Sequence, residues 1–335
     1  MDNAKVKPSF NPSRQVLGNV LPLETPFTIV FDSGDVCNFR CSYCFRSNPT
    51  DFDCGEYNHN TRMSWDVFQR AADQIVGFSG APKTISLSNH GEPLCNPLLP
   101  KMISYIKSTG SSSLISIHTN ASLLDEKTAE ALVDAGLDRM VVSLQGMTSE
   151  EYRTTCGINL DYELFLRRLR YFYSIKKHTD ICIKIIDVAL KHPEDKFYSL
   201  FSQFSDRVFI EKAVPIWDEE TIGVGSMNKY GEYYPTVQCC PLVFHTLVVT
   251  SEGVILPCTR LTPPLSLGTI FETTLIDAWH SHEREKFLKT MLKRGRSACQ
   301  VCNGCYIAQN SIYAREDIID GFQEKILERM ECVHE

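Results

Sequence analysis

Between residues 26 and 212, short β-branched segments alternate with longer segments of helical period, and this rhythm constrains the fold more than any other feature of the chain. Residues 26–31, 84–88, 114–118, 140–144, 181–186 and 207–210 read as strands. The intervening stretches 63–78, 97–108, 125–136 and 162–177 carry helical spacing, with a helix start near Ser122 and a stop at Gly136. Strand followed by helix, repeated about six times, demands parallel strands with crossover helices, in an open sheet or a full or partial barrel. In each of these architectures the working face lies at the C-terminal ends of the strands.

After residue 212 the rhythm breaks. Residues 213–236 read as a connecting loop around Trp217, and residues 237–335 as a smaller second domain, with residues 1–25 an N-terminal extension. The second domain opens with a hairpin whose turn is at 251–253. A helix over 274–292 follows, and the chain ends in a helical tail near 315–330. The 34 Lys and Arg against 41 Asp and Glu give a net charge of -7, which argues against a protein gripping nucleic acid. No apolar run reaches the roughly 18 residues of a membrane span, and the first residues lack the apolar core of a secretion signal. A cytoplasmic protein is expected, whose 14 cysteines are thiols rather than disulfides.

Those cysteines fall into two constellations. Cys37, Cys41 and Cys44 form C-x3-C-x2-C directly after the first strand. Three thiolates on one tight loop hold three irons of a four-iron–four-sulfur cluster and leave the fourth iron open. A structural zinc wants four ligands, and only the distant Cys54 and His59 are near in sequence. The second constellation is Cys240-x12-Gly253-x4-Cys258, then Cys299, Cys302 and Cys305 at C-x2-C-x2-C. Cys240, Cys258, Cys299 and Cys302 supply four thiolates for one auxiliary four-iron cluster or for a structural zinc, with Cys239 or Cys305 able to replace a neighbour.

Cys37, Cys41 and Cys44, with Tyr43 among them, resemble the signature of the radical S-adenosylmethionine (SAM) superfamily. The resemblance implies a partial (β/α)6 barrel of TIM type. It also implies SAM bound on the open iron, and a 5′-deoxyadenosyl radical that abstracts hydrogen from a substrate. Ser88-Asn89-His90-Gly91-Glu92-Pro93 resembles the family's GGEP segment, with His90 where the first glycine stands, and implies cofactor contacts from Gly91, Glu92 and Pro93. Thr119 and Asn120 after the third strand, and Ser143 and Gln145 after the fourth, resemble segments that surround SAM. Arg153 resembles an arginine that pairs with the SAM carboxylate. The second constellation is similar to the SPASM/twitch extension of one branch of the superfamily, and a flavodoxin- or ferredoxin-type electron donor is implied.

The favoured activity is oxidation of a sugar, aminocyclitol or related small polar molecule, with the auxiliary cluster taking the electron. The alternatives are a radical epimerase with a cysteine hydrogen donor, a peptide maturase, and a non-enzymatic zinc protein. Strand 181–186 carries Cys182 and Lys184 on one face, so Lys184 is a candidate base or substrate anchor. Glu211, at the end of the last strand, is placed to contact substrate, and Cys156 is the candidate hydrogen donor.

Overall fold

The computed structural model describes residues 4–10, 14–47, 60–214, 227–260 and 262–332; Cys54, His59 and Trp217 lie outside them. The strands are β1 (Lys5–Val6), β2 (Thr28–Phe31), β3 (Thr84–Ser86), β4 (Leu114–Thr119), β5 (Arg139–Leu144), β6 (Asp180–Ile186), β7 (Arg207–Glu211), β8 (Thr246–Val249) and β9 (Ile255–Leu256). They form one sheet in the order β1-β7-β6-β5-β4-β3-β2-β8-β9. Every neighbouring pair from β1 to β8 is parallel, and β8–β9 alone is antiparallel.

The helices are α1 (Leu17–Val20), α2 (Trp65–Asp73), α3 (Leu99–Ser108), α4 (Glu126–Ala135), α5 (Ser149–Cys156), α6 (Tyr162–Ile175), α7 (Glu194–Phe201), α8 (Leu242–His245), α9 (Leu275–Trp279), α10 (His282–Arg294), α11 (Gln300–Asn303), α12 (Ile307–Asn310) and α13 (Gln323–Cys332). Several of their starts are capped by short polar side chains that accept an otherwise unpaired amide, Ser64 for α2, Thr148 for α5 and Asp161 for α6. The cap of α4 is Asp125, 2.8 Å from the Thr128 amide, and not Ser122, whose hydroxyl bonds the Asn120 side chain. Gly136 ends α4 in the left-handed conformation, φ 82°, as its position in the sequence implied.

Period-two alternation divides the strands between two environments. Ile85, Ile115, Ile117, Met140, Val142, Ile181, Ile183, Ile185, Val208 and Ile210 belong to one buried apolar cluster together with the inward faces of α2, α3, α4 and α6. The residues that alternate with them, among them Ser86, Ser116, His118, Ser143, Cys182, Lys184 and Glu211, lie on the opposite face, the inside of the barrel. The barrel's outer shell is therefore its hydrophobic core, and its inside is polar along β3 to β7, with a small apolar patch of Val30, Val248 and Leu256 where β2 meets β8 and β9.

Sequence periodicity did not indicate three features. The N-terminal segment adds β1 to the edge of β7, and its carbonyls at Ser9 and Phe10 accept from Arg139 (3.0 Å) and Arg207 (3.3 Å). Both arginines also share Asp180, at 2.9 and 2.8 Å, so an ion-paired floor closes the N-terminal end of the barrel. On the other edge, β8 pairs with β2 over four residues, so the hairpin of the cysteine-rich region continues the barrel sheet. The expected helix over 274–292 is two helices, broken where Ser281 caps α10. Trp279 of α9 is buried and donates to the Leu23 carbonyl at 2.9 Å. The tail helix begins only at Gln323, after a turn at Gly321. A second, smaller core joins Leu17 and Leu21 to Cys240, Cys258, Cys302, Leu288 and Ile326. Among the described residues, no helix is long and apolar enough to cross a membrane.

The floor generates a test. Asp180→Asn leaves two guanidinium groups of 15% and 13% exposure without their carboxylate. Removing one partner of a fully buried pair costs about 3–5 kcal/mol, so for this partly exposed group about 2 kcal/mol is expected. That corresponds to a fall of roughly 5 °C in the apparent melting midpoint. An unchanged midpoint would mean the floor does not hold the barrel closed.

Candidate functional site

The loop after β2 is folded by its neighbours more than by itself. Arg40 and Ser42 donate their amides to the Cys156 and Thr155 carbonyls at the end of α5, at 3.1 and 2.9 Å. Phe39 is buried edge-on against Tyr152 of α5, with ring centroids 6.0 Å apart. Cys37, Cys41 and Cys44 remain half-buried along this loop. Burial pushes the Cys37 thiol up to about 11 and raises Cys44 as well. Cys41 is raised first by a hydrogen bond with Cys156 and then by burial. These thiols become ligands only with a metal to stabilise their thiolates.

Gly91 clamps the second segment onto that loop. A Cβ there would overlap the Gly34 carbonyl oxygen and sit 2.6 Å from that of Val36, so only glycine allows this approach. The Glu92 amide donates to the Val36 carbonyl at 2.8 Å. The Glu92 carboxyl group is buried and accepts from the Leu94 amide (3.0 Å), the Thr119 hydroxyl (2.5 Å) and the Asn120 amide (2.7 Å). Burial outweighs these bonds and lifts its pKa to about 7. Asn120 reaches Asn38 of the cysteine loop at 3.0 Å, and the Tyr43 hydroxyl bonds Gln145, whose amide in turn donates to the Ser143 carbonyl. Pro93 begins the short turn that follows. The sequence signals at Tyr43, Gly91, Glu92, Pro93, Thr119, Asn120, Ser143 and Gln145 thus converge around one loop. Among the described residues, two buried nitrogens of Arg46, Nε and Nη1, have no hydrogen-bond partner, a donor pair suited to an anionic group of a bound cofactor.

Two expected residues lie elsewhere. Arg153 is on the exposed face of α5, paired with Glu150 at 2.5 Å, so the structure does not bring it to the site. Cys156 is fully buried beneath the loop against Cys41, and its thiol does not face the barrel interior. Helical spacing explains both, since α5 turns one face to the loop and the opposite face to solvent.

The barrel interior holds the charged residues. Lys184 Nζ lies 2.6 Å from Glu211 Oε2, and Lys229, from the chain after β7, lies 3.5 Å from Glu211 Oε1. Burial alone would raise Glu211, but the two ammonium groups bring it down to about 2, so it stays ionised. His118 is open to internal space although protein surrounds it. Burial, then the charges of Lys184 and Lys229, lower its pKa to about 3 and keep the imidazole neutral. Cys182 lies on the same face of β6 as Lys184, and burial pushes its thiol up to about 12. Lys184 was legible from the alternation of its strand and Glu211 from its place at a strand end; Lys229 carried no signal in the sequence.

The second thiol group gathers around the hairpin. Cys240, Cys258 and Cys302 are buried, and Cys299 and Cys305 are half-buried. Burial pushes Cys240 and Cys258 up to about 12, and the nearby Cys305 raises both further. Cys302 is raised by burial and by a hydrogen bond with Cys299. Cys239 turns away and donates its thiol to the Met291 carbonyl at 3.2 Å. Arg260, just after Cys258, donates to the Val301 carbonyl at 2.7 Å and ties the hairpin to the C-x2-C turn. Among the described residues, no three such side chains converge on one point as a single ion requires. A four-iron cluster takes one thiolate per iron, so its thiols ring a wider space.

His90 joins the two sites. Its Nδ1 lies 2.9 Å from Asp32 Oδ2 at the end of β2, and its Nε2 lies 2.9 Å from the carbonyl of Thr259, next to Cys258. Burial opposes a charge on this ring, but the Asp32 carboxylate raises its pKa overall.

Comparison with known proteins agrees with this geometry. A family model described as the radical SAM superfamily matches residues 32–201, half of the chain, and one described as an iron-sulfur cluster-binding domain, SPASM, matches residues 239–306. A probable GTP 3′,8-cyclase of Methanococcus maripaludis is 36% identical over 126 residues, 37% of this chain and 39% of its own length. A dTDP-4-amino-4,6-dideoxy-D-glucose ammonia-lyase of Streptomyces venezuelae is 27% identical over 161 residues, 48% of this chain and 32% of its own. This chain therefore matches well under half the length of either relative. The crystal structure of BtrN in complex with AdoMet and 2-DOIA superposes with a TM-score of 0.53 at 19% identity, over 87% of this chain and 96% of that one, a likeness of fold. The chain belongs to the radical SAM superfamily, whose enzymes use SAM and a four-iron–four-sulfur cluster, and its SPASM domain adds an auxiliary cluster.

Proposed function

We propose that this enzyme oxidises a carbinol carbon of a small, carbohydrate-type substrate held inside the barrel. In this reading Cys37, Cys41 and Cys44 hold the SAM-binding cluster. Cys240, Cys258 and Cys302 hold the auxiliary cluster with Cys299 or Cys305 as the fourth ligand. Glu92 receives the SAM amino group. Tyr43, Thr119, Asn120, Ser143 and Gln145 orient the rest of the cofactor.

The observation that carries the reading is the polar barrel interior, where Lys184, Glu211 and His118 face one another beneath the SAM loops. Such an interior suits a substrate dense in hydroxyl groups. The ammonia-lyase relative, named for a dideoxy amino sugar, supports the same substrate class. When bound, the cofactors supply a 5′-deoxyadenosyl radical that removes one hydrogen atom and an auxiliary cluster that accepts one electron. The chain's own part is the proton. Once that carbon has lost both hydrogen atom and electron, its hydroxyl is that of a protonated carbonyl, a strong acid, so even a weakly basic carboxylate accepts its proton. Glu211 takes that proton at its Oε atoms, and Lys184 and His118 hold neighbouring hydroxyls. Hydrogen atom, proton and electron together account for the change from alcohol to carbonyl. A flavodoxin- or ferredoxin-type protein supplies the reducing electron.

Cys182 favours a second reading, a radical epimerase. Its thiol lies on the chamber face, deeper than Lys184, and takes the role first expected of Cys156.

Three outcomes are expected. Cys258→Ala lowers iron from about eight to about four per chain, since each four-iron cluster accounts for half. The variant still cleaves SAM but no longer oxidises substrate. If turnover survived while Cys182→Ala abolished it, with solvent deuterium entering the product, epimerisation would replace oxidation. SAM affinity should depend on pH through Glu92. Because its pKa lies near 7, the fold favours the neutral acid below that pH, and ammonium binding must first displace a proton. Calorimetry should show affinity rising by up to about tenfold per pH unit below 7 and levelling above it. Glu92→Gln should remove the slope, and a flat profile in the unaltered protein would show that Glu92 is not the partner.

A further inference from the structure

On the β5–β7 side of the chamber, the described residues hold more positive than negative charge. Lys184 and Lys229 share the single carboxylate of Glu211, whose side chain is 6% exposed. Below them Arg139 and Arg207 share the single carboxylate of Asp180. Among the described residues, four cations thus face two carboxylates, and neither lysine has another acidic partner within ion-pair distance. Lys229 also lies over the rings of Tyr230 and Tyr313, at 5.1 and 5.7 Å, which steadies an ammonium without neutralising it. Charge removed from water without full compensation is unfavourable, and the usual resolution is a ligand of opposite sign. His118, held neutral by burial and by these same lysines, adds hydrogen-bonding capacity and no charge.

The position of the pair identifies which molecule brings the anion. In the sheet order β7-β6-β5-β4-β3-β2, Lys229 and Glu211 belong to the β7 side, and the cysteine loop follows β2 on the far side. A carboxylate on SAM belongs beside the cysteine loop and Glu92. The β7 side is left for the substrate. An ammonium on a flexible stem is a point charge of the kind that binds phosphate.

We propose that the substrate carries a phosphate or diphosphate group, bound on the β7 side of the chamber by Lys184 and Lys229. This deepens the carbohydrate reading, on which the sugar part rests, to a phosphorylated or nucleotide-linked sugar in place of a neutral or amino-bearing one.

The test is calorimetric titration of the reconstituted holoprotein, with SAM present, using inorganic pyrophosphate, glucose 1-phosphate and glucose. Pyrophosphate and glucose 1-phosphate should bind, glucose should not, and affinity should fall as salt rises. Lys229→Gln should weaken phosphate binding about tenfold or more, and Lys229→Arg should restore most of it. Glu211→Gln frees both lysines and should tighten phosphate binding several-fold. A purely structural ion pair would weaken binding in both variants, and that result would overturn the proposal. So would failure of both phosphate probes to bind, or loss of SAM affinity in place of phosphate affinity in Lys229→Gln. SAM cleavage to 5′-deoxyadenosine under dithionite is measured on the same samples. If cleavage persists while phosphate binding is absent, only the substrate class is wrong and the radical reading stands.

Discussion

Everything in this molecule depends on burying one face of a parallel sheet beneath its crossover helices. The isoleucines and valines of β3 to β7 that point outward share a single core with α2, α3, α4 and α6. Burial at about 25 cal/mol per Å² of apolar surface makes that shell the source of stability. The inner face is thereby released from packing duty. Serines, His118, Lys184 and Glu211 can occupy it because the fold does not rely on them, and their own desolvation is offset by ion pairing and by whatever polar molecule they hold.

A barrel with a polar interior needs ends and edges that are closed by something other than hydrophobic contact. Asp180 with its two arginines closes the floor, and β1 covers the β7 edge. The opposite edge at β2 is covered by β8, which brings the hairpin of the second thiol group into the same sheet. Cys258 is then two residues beyond β9, and His90 spans from the next carbonyl to Asp32 at the end of β2. The position where the family's segment has a small residue is used in this chain to fasten one cysteine site to the other. Gly91 beside it cannot be spared, because the loop backbone already occupies the space of a Cβ.

Local patterns made much of this legible in the sequence. Strand positions agreed with the structure to within about two residues because period-two alternation is a property of the segment itself, and the cysteine triplets were visible because their spacing is short. Contacts between distant segments were not legible. Nothing in KVK announces a strand on β7, and nothing around Lys229 announces a partner at Glu211. Arg153 and Cys156 were misplaced for a related reason. Residues 149–156 form a helix whose buried side carries Tyr152 and Cys156, while Arg153 pairs with Glu150 on its solvent side. A capping threonine followed by Ser-Glu-Glu was the available signal.

The charge arrangement also decides between two candidate bases. A lysine alone in a chamber could lose its proton and act as the base, as strand alternation first suggested. Lys184 is not alone: it lies 2.6 Å from a carboxylate, and that carboxylate has a second ammonium 3.5 Å away. Two cations around one acid hold the glutamate ionised, bringing its pKa down to about 2. That same attraction makes Glu211 a weak base, one that takes a proton only from a strong acid such as the protonated carbonyl left when hydrogen atom and electron have gone. The base of the chamber is therefore the glutamate, and the lysines set its charge and hold the groups around it.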